Sequence, residues 1–190
     1  MEKMDLSNLE KLRFKAALLV SFFGLLRASN ICATSKCKSL SKRSSMRFIA
    51  PTKGKKYILA SLSKTKTSQF APVNVYVHAN ADILLCPYNA LLLYMNASKY
   101  VSTDSSLFYL PGNSFRLAKY NTLLKVAAGL AGWDPRSYSL HSLRAGAATS
   151  AANSGVPPYM IKLLGRWKSD AYQVYVRNPK EGLARAQSLL

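Results

Sequence analysis

A mainly α-helical chain with one small antiparallel β-sheet, an α+β fold, is what this sequence predicts. Apolar residues recur at helical spacing near the start and again from Pro87 onward. Between Ile31 and Val77 that period is lost, and short β-branched and aromatic runs alternate with Gly- and Pro-bearing turns. With 190 residues, 49% of them hydrophobic, the chain fits a single domain over residues 1–190 with a true core.

Ser7 followed by Glu10 is a capping-box pattern, so a first helix is expected from about Asn8 to Ala28. Its later part is apolar on nearly every side, which predicts burial. The apolar run Ala16 to Leu26 is too short to span a bilayer, which takes about 20 residues. Arg47 to Ala50, Tyr57 to Leu62 and Val73 to Val77 read as three short strands. Helices are then expected at Tyr88 to Ala97, at Ser114 to Ala131, and from Ser139 or Ser142 to Asn153. Pro157 and Pro158 suit the first turn of a helix that closes at Gly165. Ser169 or Asp170 can cap a short helix holding Tyr172 and Tyr175. Lys180 to Leu190 reads as a last tail helix.

Lys and Arg number 27 against 8 Asp and Glu, a net charge of +19. In a folded chain that excess points to a polyanionic partner such as nucleic acid. Candidates for gripping its backbone are Lys36, Lys38, Lys42, Arg43, Lys53, Lys55, Lys56, Arg116, Lys119 and Arg166. Each phosphate so neutralised steepens the log–log salt dependence of binding by about 0.9. The three cysteines, Cys32, Cys37 and Cys86, are odd in number and unpaired in spacing, which argues against a disulfide framework. With only His78 and His141 as further nitrogen ligands, a structural zinc site is not expected. No cofactor is implied.

The chemistry-bearing residues concentrate near the end. His141 and Arg144 stand three apart on one helix face. Gly165-Arg166-Trp167 follows, then Tyr172 and Tyr175. Arg27 lies far upstream. An arginine fork matches two phosphate oxygens, and two such forks from different elements would clamp one phosphate. Phosphoryl transfer builds negative charge on the equatorial oxygens, and fixed cationic donors aimed there supply most of its catalysis.

Leu25-Leu26-Arg27-Ala28-Ser29-Asn30-Ile31, Leu140-His141-Ser142-Leu143-Arg144-Ala145-Gly146, Leu163-Leu164-Gly165-Arg166-Trp167 and Tyr175-Val176-Arg177-Asn178 together resemble the boxes of the tyrosine recombinases, the phage-integrase family, in order and spacing. Ser29-Asn30 and the stretch Gly165 to Asp170 look most like the Crypton and DIRS types of eukaryotic mobile element.

The resemblance implies the catalytic-domain fold of that family and a set of roles. Arg27 and Arg144 would hold the scissile phosphate. His141 would bond a phosphate oxygen and help manage the nucleophile's proton, and Trp167 would donate its indole N–H to the phosphate. Tyr175 would attack phosphorus, leaving a 3′-phosphotyrosyl bond and a free 5′-hydroxyl, without metal or ATP. Tyr172 stands one turn earlier and is the alternative nucleophile. Lys66, with Lys64 of the same strand parity as alternative, would protonate the leaving 5′-oxygen. The family often has an acidic residue where Asn30 stands; an amide accepts a hydrogen bond but brings no charge.

Double-stranded DNA is the implied partner, with self-association into a tetramer on two duplexes and no membrane or small-molecule substrate. A nuclear location follows if the source is eukaryotic, a cytoplasmic one if bacterial. Members usually carry an N-terminal DNA-clamping domain, for which the stretch before Arg27 leaves no room. Two other readings fit the same residues: a non-catalytic DNA-binding module, and a type IB topoisomerase-like relaxing activity.

Overall fold

Six α-helices and three strands order the residues that the computed structural model describes, namely 4, 6–32, 41–62, 72–175 and 187–188. The helices are α1 (Asn8–Phe23), α2 (Ala28–Ile31), α3 (Pro87–Ala97), α4 (Leu117–Leu130), α5 (Leu140–Asn153) and α6 (Pro158–Gly165). The strands are β1 (Met46–Ile49), β2 (Tyr57–Leu62) and β3 (Val73–His78). A 3-10 helix, Asp170–Tyr175, follows α6. The α+β fold expected from the sequence is the fold observed.

The capping box works as its pattern predicts. The Glu10 N–H donates to Ser7 Oγ at 3.3 Å, and the Ser7 N–H donates to Glu10 Oε2 at 3.2 Å. Along α1, Phe14, Ala17, Val20 and Ser21 form a buried stripe at i, i+3, i+6, i+7. Phe14 meets Tyr120 of α4 edge-on at 5.8 Å, and α3 lies along α1 with Leu91 and Tyr94 fully buried. The strands pair antiparallel in the order β1-β2-β3, with Ile49 opposite Tyr57 and Leu62 opposite Val73. Ile58, Ala60, Leu62, Val75 and Val77 point inward from β2 and β3 and join the main core. The alternating pattern of the sequence is thus one face in and one face out.

The first helix ends five residues earlier than expected, at Phe23 rather than Ala28. Leu25 takes φ 44°, in the left-handed region. Its N–H reaches the Phe22 carbonyl at 3.1 Å, and the Leu26 N–H reaches the Ser21 carbonyl at 2.9 Å. This is a Schellman stop in which leucine occupies the place glycine usually takes, a substitution that costs about 1–2 kcal/mol. The Gly24 beside it has no room for a side chain, since a Cβ there would stand 2.7 Å from the Val20 carbonyl oxygen. α6 stops in the same way: Arg166 has φ 57°, and the Trp167 N–H donates to the Lys162 carbonyl at 3.0 Å.

A second, smaller core joins these two stops. Leu25, Ala147, Ala148, Ile161 and Tyr172 are buried together, with Phe22, Ala152 and Trp167 packed against them. It ties α1, α5, α6 and the 3-10 helix into one block.

Basic residues are used structurally as well as on the surface. Arg13 is fully buried, with Nη1 donating to the Asn113 carbonyl at 2.9 Å and its guanidinium 4.9 Å from the centre of the Phe115 ring. Glu10 accepts from Lys119 at 3.0 Å and from Asn113 at 2.7 Å. The Lys119 ammonium, ahead of the Ser7 and Asn113 donors, holds the Glu10 carboxyl well below its ordinary 4.5, at about 2. A carboxyl depressed on folding stabilises the folded state above its unfolded value and loses that contribution as pH falls through the folded one. Glu10→Gln is therefore expected to melt about 2–4 °C below the wild type at pH 6, with the gap closing as pH falls from about 4.5 toward 2. Parallel thermal melts across that range check it, and a gap that stays constant with pH would refute the assignment.

Candidate active site

Arg27 is the N-cap residue of α2, at φ −78° and ψ 147°. It is half-buried, directly after the Gly24–Leu26 stop rather than at the end of a continuous helix as the sequence suggested. Its backbone N–H donates to Asn30 Oδ1 at 3.0 Å. Asn30 is itself buried, and its carbonyl accepts from Ser41 Oγ at 3.0 Å. The amide at the position where an acid was anticipated thus holds the arginine's backbone.

His141 is the second residue of α5, exposed in its first turn, and Arg144 is buried one turn further in. Ser142 Oγ accepts from the Ser139 N–H at 3.0 Å and so fixes the helix start. Arg144 donates through Nη1 to the Leu25 carbonyl and through Nη2 to the Gly165 carbonyl, the latter at 2.6 Å. Its guanidinium lies 4.0 Å from the centre of the Trp167 ring, a cation–π stack. Trp167 in turn packs against Gly165, where any Cβ would stand 1.6 Å from its Cζ3.

Arg27, His141 and Arg144 line one open cleft of about 620 Å³ together with Ala28, Ser29, Leu117, Asn121 and Ser139. No carboxylate is among its described lining residues. The cleft opens onto the first turn of α5, where the helix dipole also favours an anion. Asn121 is a lining residue that sequence reasoning missed; its Oδ1 accepts from the Leu140 N–H at 3.2 Å. Nothing in the sequence distinguishes it from any other helical asparagine.

The remaining expected residues divide. Trp167 is placed behind Arg144 rather than along the cleft wall. Tyr172 is buried in the small core, with its ring 6.2 Å from that of Trp167, and packs. The backbone of Tyr175 closes the 3-10 helix; its side chain lies outside the described residues. Lys66 and Lys64 lie outside the described residues, in the connection from β2 to β3.

Two of the presumed surface cations are not surface groups. Arg43 is buried and closes the end of α3, donating to the Ser98 carbonyl at 3.1 Å and the Met95 carbonyl at 3.3 Å. Arg166 is half-buried on three carbonyls. Charge alone could not show either, because the acceptors are mostly backbone carbonyls of helix ends far away in sequence. Lys42 pairs with Asp104 at 3.0 Å and Lys119 with Glu10. Lys53, Lys55, Lys56 and Arg116 are exposed, whereas Lys36 and Lys38 lie outside the described residues.

This architecture is the catalytic-domain fold of the tyrosine recombinases. Among solved structures, the chain is similar to the XerH site-specific recombinase bound to a palindromic difH substrate in a post-cleavage complex, with TM-score 0.66, 14% identity, 98% of this chain and 48% of that chain covered. It is also similar to XerA recombinase, with TM-score 0.57, 17% identity and coverage of 98% and 64%. The Tn1549 transposon integrase in complex with transposon right end DNA gives TM-score 0.54, 15% identity and coverage of 98% and 66%. The chain spans about half the length of the first and just under two thirds of the others. No family model and no curated protein matches the sequence.

Proposed function

We propose that this chain breaks and rejoins DNA strands through a tyrosine nucleophile, as the catalytic unit of a recombinase or integrase of a mobile element. The observation that carries this reading is the cleft itself. Arg27, His141 and Arg144 come from two distant segments onto one open cleft with no carboxylate among its described lining residues. Simple backbone binding needs no such convergence.

In this reading Arg27 and Arg144 grip the non-bridging oxygens of the scissile phosphate. A guanidinium has five N–H donors, so Arg144 can keep both of its carbonyls and also meet an oxygen. The Tyr175 hydroxyl attacks phosphorus as its proton passes toward His141. The bond from phosphorus to the 5′-oxygen breaks, and Lys66 protonates that oxygen. A 3′-phosphotyrosyl bond and a free 5′-hydroxyl result, and reversal by an incoming 5′-hydroxyl reseals the strand. An ordinary tyrosine, with a pKa near 10, needs such a cationic surround to react at neutral pH. The motif likeness to Crypton and DIRS elements makes the source a eukaryotic mobile element, the site of action the nucleus, and the working form a tetramer on two duplexes.

The test is covalent trapping on a nicked suicide duplex in EDTA. Wild type and Tyr172→Phe are expected to give an adduct that survives denaturation, and Tyr175→Phe none. Tyr172→Phe keeps the buried ring and removes only its hydroxyl, so it leaves the small core filled. Loss of the adduct in Tyr172→Phe alone would transfer the nucleophile to that residue. Salt-sensitive DNA binding with no adduct from any form would instead indicate a non-catalytic binding module.

A further inference from the structure

The stops of α1 and α6 are joined by two guanidiniums, that of Arg144 from α5 and that of Arg166 from the α6 stop itself. Arg166 Nη1 donates to the Gly24 carbonyl at 3.1 Å and to the Leu164 carbonyl at 2.9 Å, and Nη2 donates to the Leu25 carbonyl at 2.9 Å. Leu25 O also accepts from Arg144, so two arginines converge on one oxygen. Helix C-termini leave carbonyls without intrahelical partners and carry the negative end of the dipole, and both features select a cation. Leu25 is in the left-handed region, a conformation held by its surroundings rather than preferred. Arg27 follows it by two residues.

We propose that Arg166 is a positioning residue for Arg27: it pins the Gly24–Leu25 turn from which Arg27 enters the cleft, and makes no phosphate contact of its own. Three of its five N–H donors are spent on backbone carbonyls, which anchors the guanidinium at the turn rather than leaving it a mobile surface charge. Burial, and then the neighbouring Arg27 charge, lower its pKa to about 10, so it is still cationic at neutral pH. Lysine at this place would keep the charge and lose the fork, since an ammonium is a point donor and cannot span both helix ends. What Arg27 does with its position rests on the recombinase reading; the positioning itself does not.

Three measurements on Arg166→Lys and Arg166→Ala decide it. Without DNA, amide exchange at Leu25 and Leu26 is expected to accelerate about 10-fold or more, while the main core keeps its protection. In duplex binding, Arg27→Ala should lower the salt slope by about 0.9 in the wild type and leave it nearly unchanged in the Arg166→Lys background. In suicide-duplex trapping, Arg166→Lys should slow adduct formation about 10²-fold at saturating protein, as expected when a reacting group is misplaced. Wild-type exchange rates in Arg166→Lys, or an undiminished Arg27 effect in its background, would overturn the proposal. So would a further fall of about 0.9 in the salt slope when Arg166→Ala is added to Arg27→Ala, which would mean a direct phosphate contact. If the alanine variant fails to fold, the lysine variant carries the test. If the wild type forms no adduct, the catalytic reading fails, and exchange and the binding cycle still judge Arg166.

Discussion

Arg144→Ala is expected to abolish adduct formation and to melt well below the wild type. Two losses coincide. The first is chemical: removing a preformed donor aimed at transition-state charge typically costs about 10²–10³ in rate. The second is structural. Arg144 is 3% exposed, and its removal strips a donor from the carbonyls of Leu25 and Gly165 and the cation from beneath Trp167. An unmet buried carbonyl costs about 1–3 kcal/mol, and a cation–π stack contributes about 0.5–2 kcal/mol. A drop in Tm on the order of 10 °C follows for a chain of this size. Arg144→Lys separates the two effects. It restores charge without the fork, so much of the stability should return and most of the cleavage should not. Full cleavage by the lysine variant would show that the fork is unnecessary.

Gly165→Ala should be nearly as damaging, although it adds one methyl group and removes no charge or hydrogen bond. A Cβ at Gly165 would occupy the space of the Trp167 six-membered ring, so the indole must leave its stack on Arg144. The residue is helical, and backbone propensity alone would favour alanine there by about 1 kcal/mol. Propensity and packing therefore predict opposite signs, and packing wins because a Cβ would stand 1.6 Å from Trp167 Cζ3, far inside van der Waals contact. We expect adduct formation to fall about 10²-fold with a shift in tryptophan emission, read in a Trp133→Phe background so that Trp167 reports alone. Unchanged emission together with normal trapping would show that the indole can sit elsewhere without consequence.

Much of this could be read from the residues. Strand positions were legible to within a residue because period-two alternation faces a core on one side and solvent on the other. The start of α1 was legible because Ser7 and Glu10 satisfy each other locally. The end of α1 was not, because a leucine in the left-handed region carries no sequence mark and the apolar run continues past it. The convergence of Arg27, His141 and Arg144 was legible through motif spacing, and the structure brings all three to one cleft. Helix spacing left Tyr172 open as the alternative to Tyr175, which the motif favoured, and the structure buries Tyr172. Arg43 and Arg166 were misread for one reason: their partners are main-chain oxygens, which every residue has and no sequence pattern announces.

The coupling of the two helix stops has a consequence for safety. A protein that nicks DNA is hazardous when half assembled, since a competent tyrosine without its resealing partners leaves a break. Here the arginine near the chain's beginning is held in place by α6, the element that leads directly to the 3-10 helix ending at Tyr175. A copy in which that late segment has come undocked, whether during synthesis or through damage, releases Arg166 and with it the turn before Arg27. In the recombinase reading proposed above, such a copy would forfeit its grip on the phosphate at the same moment that its nucleophile goes astray, so incomplete molecules would be inert rather than destructive.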